Sequence, residues 1–380
     1  MKNKIRVGVV FGGRSGEHEV SLVSASSIIK ALDKDKYDVT LIGITKDGKW
    51  VSSSETLKLF KNNNIELDLV NEKYLLPDPE KKGLISLSDS SVGIQKLDVI
   101  FPIIHGTYGE DGTIQGLLEL ANIAYVGAGV LASAIGMDKV IQKKIFLQEG
   151  LPVADFLYFT REGFESDIDG WIEKIEAKLG YPNFVKPANS GSSVGINKAH
   201  NIDELLNSIK EAFNYDRKVL VEKSIENARE IECAVLGGEF PEVSIPGEII
   251  SSNEFYDYDA KYVDGKSEAI IPAQISDTIA NEIRHLAKEA FIAIDCYGMA
   301  RVDFFLSRDD NKIYLNEINT IPGFTKISMF PKLWEATGIS YSELIDKLIH
   351  LALIKHKEKN TLKTTYNPKK DWYKNGENNC

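Results

Sequence analysis

Apolar runs alternate with helical patterns along the first third of the chain. Residues 5–11 and 97–104 are short, mostly apolar runs, and each predicts a buried parallel strand. Between them, residues 19–32 have the spacing of a helix and residues 38–45 that of another strand. Because strands that alternate with helices build parallel sheets, we predict an open-sheet α/β domain over residues 1–128.

A second set of elements follows. Residues 137–150 predict a helix, residues 184–187 a short strand, and Asn201 begins a helix with Glu204 placed for a capping box. This second set of elements ends with a strand at residues 218–225. We assign it to a central domain over residues 129–222.

Strands dominate the next part of the chain. The predicted elements are strands at residues 230–236, 242–250, 269–275, 300–306 and 312–319, with one helix at residues 277–294. A last helix starts at the capping box of Ser340 and Glu343 and carries an apolar stripe that includes Leu344 and Leu348. These elements predict a C-terminal domain over residues 223–356, followed by a polar, mobile tail over residues 357–380.

Composition narrows the class of protein. A chain of 380 residues with 43% hydrophobic content can bury several cores, whereas a net charge of -11 argues against nucleic acid as a partner. Cys233, Cys296 and Cys380 are few and odd in number, which indicates a reducing compartment. The first apolar run is too short for a signal peptide or a membrane span, so we expect a cytoplasmic protein.

The strongest chemical pattern lies in the two last predicted strands. Asp303 follows Arg301 in one strand, and Glu317 precedes Asn319 in the other, after a short polar turn. Alternate residues of a strand share a face, so a register that places Asp303 opposite Glu317 would gather three oxygen ligands. Mg²⁺ and Mn²⁺ prefer such ligands, with nucleotide phosphates and water completing the shell. The alternative is a surface hairpin with solvated acids.

Two further segments suit a nucleotide. Lys186 ends a strand and is followed by a glycine-serine loop at residues 190–195, whose N–H groups can cover phosphates. Lys139 is a second candidate phosphate contact, and Glu222 and Glu230 are candidates for the adenine or ribose groups. Each feature also has a plain structural interpretation, as a turn or as solvated charges.

A glycine turn follows the first strand, with acidic and imidazole groups at the start of the next helix. It lacks the G-x-G-x-x-G spacing of a dinucleotide site, and its acids suit a substrate ammonium. His105 follows another apolar strand, at the sheet edge where α/β proteins bind ligands. An aromatic-acid loop at residues 254–262 is typical of a lid. Each segment could equally be structural.

Taken in order, these segments resemble the D-alanine–D-alanine ligase family of the ATP-grasp superfamily, from residue 7 to about residue 353. The resemblance implies an α/β protein with an N-terminal α/β open-sheet domain and a two-part ATP-grasp fold formed by the α+β central and C-terminal domains. It also implies an ATP-dependent reaction in which one D-alanine is phosphorylated and a second attacks the acylphosphate. A homodimer is the usual assembly.

The same resemblance implies roles for single residues. The implied ligands of Mg²⁺ or Mn²⁺, expected as two ions, are Asp303, Glu317 and Asn319. The implied ATP contacts are Lys139, Lys186, Ser193, Glu222, Lys223 and Glu230. The implied substrate and catalytic residues are Glu19 with His105 for the first substrate, Arg301 and the Gly323 backbone for the oxyanion, Ser192 and Tyr262 in a set with Glu19, Lys261 for the transferred phosphate, and Ser328 for the second carboxylate.

The second substrate is expected to be D-alanine. Relatives that join D-lactate have His or Phe where Tyr262 stands, and Met329, next to Ser328, offers no charge for a polar side chain. Three other functions stay open at this point: another ATP-grasp carboxylate ligase, a NAD-dependent dehydrogenase and a non-catalytic ATP-binding regulator. The missing dinucleotide fingerprint counts against the dehydrogenase.

Overall fold

A computed structural model of the protein describes residues 4–61, 72–86, 93–250 and 268–367. Within these ranges the strands form three larger sheets and one small three-stranded sheet, and helices cover them. The mixed α/β fold class predicted from the sequence is confirmed.

The first region is an open, mostly parallel sheet flanked by helices. Its elements are β1 (Ile5–Gly12), α1 (His18–Ala31), β2 (Tyr37–Ile44), β3 (Trp50–Val51), α2 (Thr56–Lys61), β4 (Tyr74–Leu75), β5 (Gly83–Ile85), β6 (Gln95–Lys96), β7 (Val99–Pro102), α3 (Thr113–Leu120) and β8 (Ala124–Tyr125). The strand order is β3-β2-β1-β7-β8, with β1, β2, β7 and β8 parallel. Val7, Val9 and Phe11 of β1 are fully buried because helices cover both faces of the sheet.

The middle of the chain forms an antiparallel sheet of its own. The elements here are α4 (Val130–Met137), α5 (Lys139–Gln148), β9 (Phe156–Thr160), α6 (Arg161–Glu165), α7 (Ile168–Lys178), β10 (Asn183–Pro187), β11 (Asn197–Ala199), α8 (Ile202–Ala212) and β12 (Lys218–Lys223). The strand order is β11-β10-β12-β9. Asn201 caps α8 as predicted, since the Glu204 N–H donates to Asn201 Oδ1 at 3.0 Å, while the Glu204 carboxylate accepts from the His200 N–H at 2.9 Å. The predicted single helix over residues 137–150 is instead α5 alone, which Asp138 caps directly after α4 ends.

The last region carries a second antiparallel sheet. Its elements are β13 (Ala228–Gly237), β14 (Glu242–Val243), β15 (Gly247–Ile250), β16 (Glu268–Ile270), α9 (Asp277–Ala293), β17 (Gly298–Ser307), β18 (Ile313–Asn319), α10 (Met329–Ala336) and α11 (Tyr341–Lys359). The strand order is β16-β15-β13-β17-β18, and β14 pairs with β13. Two predicted strands are shorter than expected. Pro246 lies between β14 and β15, and Pro272 follows the end of β16. Proline has no N–H to donate to a neighbouring strand, so strand pairing stops near both residues.

Helices α4 and α5 belong to the core of the last region, although the sequence placed them in the central domain. Ala132 of α4 and Phe146 of α5 pack with buried residues of β13, β17 and α9. The sheet of β9 to β12 has a separate core around Phe159 and Val185. The unit with its own core is therefore smaller than the central domain predicted over residues 129–222.

Helix α11 attaches the last region to the first. Its predicted apolar stripe, including Leu344 and Leu348, is buried in the same core as Val7 and Phe101 of the first sheet. At the edge of this core, Tyr37 Oη of β2 donates to Asp346 of α11 at 2.8 Å. The first and last regions therefore share one continuous core.

The predicted tail starts too early. Helix α11 continues to Lys359, whose ammonium pairs with Glu119 of α3, so residues 357–359 are ordered by the first region. Residues 368–380 of that prediction lie outside the described ranges. Within the part of the chain that the structure describes, no helix is both long and apolar enough to cross a bilayer.

Substitution Leu348→Ala should lower the free energy of unfolding by about 2–5 kcal/mol, because the side chain is 1% exposed and its removal leaves a cavity between two regions. Ile354→Ala on the same helix is the matched control, since Ile354 is 48% exposed and should change stability by less than about 0.5 kcal/mol. Urea denaturation of both variants measures the difference. Equal losses would contradict the shared core.

Candidate active site

The pairing of β17 with β18 puts the acidic residues opposite each other. Asp303 pairs with Glu317, and Arg301 pairs with Asn319. Arg301 Nε and Nη2 each donate to a different Asp303 oxygen at 2.7 Å, and Asn319 Nδ2 donates to Asp303 Oδ2 at 2.9 Å. The register that the metal-site prediction required is present.

A β-bulge increases the number of polar groups on this face. The register shifts after Asp303, so that Phe304 pairs with Leu315 and Asn316 has no partner position of its own. Consecutive strand residues normally point to opposite faces, yet Asn316 and Glu317 both line one cavity. Asn316 Oδ1 accepts a long hydrogen bond, 3.4 Å, from Lys186 Nζ.

This cavity, of about 370 Å³, lies between the sheet of β9 to β12 and the sheet of β13 to β18. Its lining includes most of the residues predicted to contact the nucleotide and the metal, and also Arg301, which was predicted for the oxyanion. The nucleotide and metal residues are Lys186, Ser193, Glu222, Lys223, Glu230, Asp303 and Glu317. Residues from two separate sheets therefore converge on one space. The nucleotide and metal predictions describe a single site.

Buried lysines surround Glu222 at one side of the cavity. Lys186 Nζ lies 2.6 Å from Glu222 Oε2, and Lys143 Nζ lies 2.5 Å from Glu222 Oε1. Burial raises the pKa of Glu222, but the positive charges of both lysines outweigh this effect and hold the pKa below its ordinary value. Both carboxylate oxygens thus face lysines. Glu222 also lines the cavity, and its contact with adenine or ribose groups stays a prediction.

Lys139 connects the glycine-serine loop to the hairpin. Its Nζ donates to the Ser190 carbonyl at 2.7 Å and lies 3.3 Å from Glu317 Oε2. Lys139 and Glu317 also line a smaller adjoining cavity of about 30 Å³, together with Glu110 and Ser192. Ser193 and Glu317 line both cavities, so the two spaces meet at these side chains.

The turn after β1 depends on glycine. Gly12 and Gly13 have φ angles of +88° and +104°, and the Gly13 N–H donates to the Ile44 carbonyl at 2.8 Å. A Cβ on Gly12 would lie 2.3 Å from that carbonyl oxygen, so a larger residue cannot keep the turn. Glu17, at the start of α1, follows this turn and contacts Ser192, which lines the small cavity.

The prediction for Glu19 is wrong in its contacts. The Glu19 side chain is 60% exposed and pairs with Lys46 at 2.6 Å on the surface. Glu17 is instead 8% exposed, and its Oε1 accepts the hydrogen bond of Ser192 Oγ. The two residues are about 200° apart around a helix axis, so only one of them can face the site.

Gly106 and Gly191 fit closely around Glu17. A Cβ on either glycine would lie within 2.5 Å of Glu17 Oε2. The carboxylate is therefore enclosed by the loop after β7 and by the glycine-serine loop. No side chain at either position would leave it in place.

His105 and Glu110 form a buried pair beside Glu17. His105 Nδ1 lies 3.2 Å from Glu110 Oε1 and 3.2 Å from the Ile321 carbonyl, and its Nε2 lies 3.1 Å from Ser24 Oγ. Burial, together with the charge of Glu17, raises the pKa of Glu110 to about 7. Burial lowers the pKa of His105, but the hydrogen bond to Glu110 and the nearby carboxylates outweigh this, so its pKa lies above the ordinary value.

The segment after β18 completes the site. His105 contacts its Ile321 carbonyl, and a Cβ on Gly323 would lie 2.9 Å from Ser328 Oγ. Ser328 precedes α10, and its Oγ accepts from the Thr325 N–H at 3.0 Å. Gly323 and Ser328 are therefore adjacent, as their predicted roles require. Lys261 and Tyr262 lie outside the described residues, as does the lid predicted over residues 254–262.

The sequence interpretation did not include Glu17, Glu110, Lys143 or Glu232 as site residues. Glu232 Oε2 lies 3.1 Å from Arg301 Nε and helps to hold the guanidinium. Lys143 follows Lys139 by four residues, one helical turn, which places both on one face. That spacing was the available signal for Lys143. The partners of Glu17 and Glu232 lie far away in the sequence, whereas Glu110 is five residues from its partner His105.

The oxygen groups on the hairpin fit a divalent ion only as part of a shared shell. Asp303 and Glu317 supply carboxylates and Asn319 an amide, which are ligands that Mg²⁺ and Mn²⁺ accept. Among the described residues, no three His, Cys, Asp or Glu side chains are grouped so as to hold an ion. Mg²⁺ commonly binds through one or two carboxylates plus substrate phosphates, and this donor set fits that mode.

A cavity between two antiparallel sheets, with Lys186 on one sheet and Asp303 and Glu317 on the other, is typical of an ATP-grasp ligase. The chain matches the family descriptions "D-ala D-ala ligase N-terminus" over residues 6–128 and "D-ala D-ala ligase C-terminus" over residues 145–350. It belongs to the D-alanine–D-alanine ligase family.

Individual relatives agree with this membership. The chain is 52% identical over 360 residues to the D-alanine–D-alanine ligase of Caldicellulosiruptor bescii, which covers 95% of this chain and 98% of the relative. Among solved structures, VanG D-Ala:D-Ser ligase from Enterococcus faecalis superposes with a TM-score of 0.82 at 37% identity, covering 92% of this chain and 100% of that one. The D-alanine–D-alanine ligase from Coxiella burnetii superposes with a TM-score of 0.80 at 37% identity, with coverages of 94% and 98%.

Stability should fall as the pH rises through neutrality because of the His105–Glu110 pair. A carboxyl whose pKa is raised from 4.5 to about 7 holds a proton in the folded protein where the unfolded chain does not, so rising pH favours unfolding. The raised pKa of His105 acts in the same direction above its ordinary value of 6.5. Glu110→Gln should reduce this slope between about pH 5 and pH 8, by up to a few kcal/mol.

Thermal unfolding midpoints of the wild type and the variant, measured across that pH range, check the expectation. Glu119→Gln is a suitable control, because the pKa of Glu119 is lowered and its removal should not reduce the loss of stability above neutral pH. Identical pH slopes in the wild type and Glu110→Gln would contradict the raised pKa of Glu110.

Proposed function

We propose that this protein is an ATP-dependent ligase that joins two D-alanines into D-alanyl-D-alanine for peptidoglycan precursor synthesis. The observation that carries the proposal is the single cavity in which Lys186 faces Asp303 and Glu317 across two sheets. Membership of the D-alanine–D-alanine ligase family supports the choice of substrates. The dehydrogenase alternative has no support, because the first turn lacks a dinucleotide fingerprint.

ATP occupies the larger cavity in this proposal. Lys186 and Lys139 contact its phosphates, Ser193 lies over them, and Lys223 and Glu230 line the remainder of the nucleotide site. Asp303, Glu317 and Asn319 would hold Mg²⁺ or Mn²⁺, as two ions. Such ions would supply the neutralisation of phosphate charge that phosphoryl transfer requires.

The first D-alanine binds between Glu17 and the hairpin. Its ammonium pairs with Glu17, a buried carboxylate that Ser192 orients, while His105 lies close by. Glu19 has no part in this role because it is solvent-exposed. One carboxylate oxygen of this D-alanine attacks the γ-phosphorus of ATP, and the bond to the bridging oxygen breaks to release ADP.

The second step forms the peptide bond. The amine of the second D-alanine attacks the acylphosphate carbon, loses a proton, and expels inorganic phosphate. Arg301 stabilises the oxyanion that develops, together with the N–H of Gly323. Asp303 and Glu232 hold the Arg301 guanidinium in place for this task.

Other contacts to the second substrate rest on the family resemblance. Ser328 binds its carboxylate, and the position of Ser328 beside Gly323 supports this role. Lys261 meets the transferred phosphate, and Tyr262 joins Glu17 and Ser192 in positioning the amine. The protein is a cytoplasmic homodimer in this proposal and has no nucleic-acid partner.

D-serine is the alternative second substrate, since the Enterococcus faecalis relative is a D-Ala:D-Ser ligase. D-alanine is favoured because Met329, next to Ser328, is apolar and packs in the core rather than offering a hydrogen bond. The curated relatives with about half of their residues identical are D-alanine–D-alanine ligases.

Incubation with Mg-ATP and D-alanine should yield D-alanyl-D-alanine, ADP and phosphate in equal amounts, detected by mass spectrometry and a coupled ADP assay. Glu317→Ala is the control, because loss of an ion ligand should abolish the product while the fold remains. Parallel reactions with D-serine and D-lactate test the second substrate. ADP release without any dipeptide would overturn the proposal.

Glu17→Gln should lower kcat/KM for D-alanine by roughly 10- to 100-fold, because a hydrogen bond to a charged group contributes about 1.5–3 kcal/mol. Glu19→Gln, two residues away, removes the same charge from the surface and should change kcat/KM by less than about twofold. Steady-state kinetics of the two variants decide between the positions. A larger loss in Glu19→Gln would restore the original prediction.

A further inference from the structure

Helix α5 carries two lysines into the site from a single face. Lys139 reaches Glu317 at 3.3 Å, and Lys143, one turn later, reaches Glu222 at 2.5 Å. The Lys143 side chain is 1% exposed, whereas its neighbour Lys144 lies on the surface and donates to Tyr158 Oη. Burying a charged lysine costs free energy unless the ammonium group is paired. The burial of Lys143 therefore has to be explained by its partner.

Lys143 shares its partner with Lys186. Glu222 lies between the two ammonium groups, with one oxygen 2.5 Å from Lys143 and the other 2.6 Å from Lys186. With both lysines protonated, this buried triad carries a net charge of +1. Burial lowers the pKa of Lys143, as does the charge of Lys186, and the charge of Glu222 opposes this. Only Lys186 and Glu222 of the three line the large cavity, so Lys143 acts from behind them.

We propose that Lys143 is a positioning residue for the nucleotide: by pairing with Glu222 it leaves Lys186 with an uncompensated positive charge directed at the ATP phosphates. This inference rests on the proposed function only in naming ATP as the ligand. The low pKa of Glu222, caused by the charges of Lys143 and Lys186 against the opposing effect of burial, agrees with an ionised carboxylate in the triad.

The electrostatic reason is a competition for one carboxylate. Without Lys143, Glu222 would pair entirely with Lys186, and the triad would become neutral. Charges interact strongly in a poorly hydrated interior, so the loss of one positive charge behind the cavity weakens its attraction for an anion. The long contact between Lys186 and Asn316 would also shift towards Glu222.

Lys143→Met tests this with a neutral side chain of similar length. The dissociation constant of the non-hydrolysable analogue AMP-PNP with Mg²⁺, measured by calorimetry, should rise at least about tenfold. KM for ATP should rise with it, while KM for D-alanine stays within about twofold. Lys143→Arg, which keeps the charge, should remain within about threefold of the wild type in all three constants.

Lys144→Met is the matched control, because it removes a lysine from the exposed side of the same helix turn. It should leave the AMP-PNP affinity unchanged. Lys143→Gln is a second neutral variant with the same expectation as Lys143→Met, should the methionine variant fold poorly. Circular dichroism establishes that each variant is folded before binding is measured.

A double variant separates charge from structure. Lys143→Met with Glu222→Gln restores a net charge of +1 at Lys186 and should recover most of the AMP-PNP affinity lost in the single variant. No recovery, or equal losses for AMP-PNP and D-alanine, would show that Lys143 is merely structural and would overturn the inference. Unchanged affinity in Lys143→Met would also overturn it.

The binding measurement does not depend on dipeptide formation. If the wild type binds AMP-PNP but makes no D-alanyl-D-alanine, the proposed function fails while the role of Lys143 is still decided by the variants. If the wild type does not bind AMP-PNP, the inference fails together with the nucleotide assignment.

Discussion

The antiparallel pairing of β17 with β18 is the constraint on which the site depends. It sets Asp303 against Glu317 and Arg301 against Asn319, and a slip of one residue would turn every one of these side chains into the core. The bulge after Asp303 adds Asn316 to the same face without breaking the ladder on either side. Phe304 and Leu315, buried on the opposite face, hold this register through the hydrophobic core.

Helix α5 connects that hairpin to the facing sheet. Gln142 Oε1 accepts a hydrogen bond from the Ile318 N–H at 3.0 Å, Lys139 reaches Glu317, and Lys143 reaches Glu222 of β12. One helix therefore fixes β18 and β12 relative to each other through polar contacts. The spacing of these residues along α5 follows the helical repeat. A helix of ten residues can therefore contact both walls of the cavity.

The sequence allowed the fold class, the hairpin register and the capped helices to be predicted, because each depends on local periodicity or on residues close in the chain. Strand alternation placed Glu317 with Asn319 on one face, while the register that sets Asp303 opposite Glu317 was a condition that the structure meets. The choice between Glu17 and Glu19 failed for a different reason. Both precede or begin the same helix, and only the turn built by Gly12 and Gly13 decides which one faces inward.

Ion pairs between residues far apart in the sequence were the other feature that could not be predicted. The partner of Lys143 is Glu222, on a strand that follows after several other elements, so the four-residue spacing from Lys139 indicates a shared helix face but not the buried ion pair. The same holds for Glu232 and Arg301. Polar residues inside a protein are specified by distant partners, whereas periodicity reports only which residues are apolar.

The shared core beneath α11 has a mechanical consequence. The first sheet shares one hydrophobic core with Met299, Phe324 and Phe330 of the last region, whereas the sheet of β9 to β12 has a core of its own. The sheet of β9 to β12 is joined to the acidic hairpin by the polar contacts of α5 and by a small apolar cluster of Val140, Ala188 and Leu220. A displacement of this sheet would therefore expose less apolar area than a separation of the first and last regions.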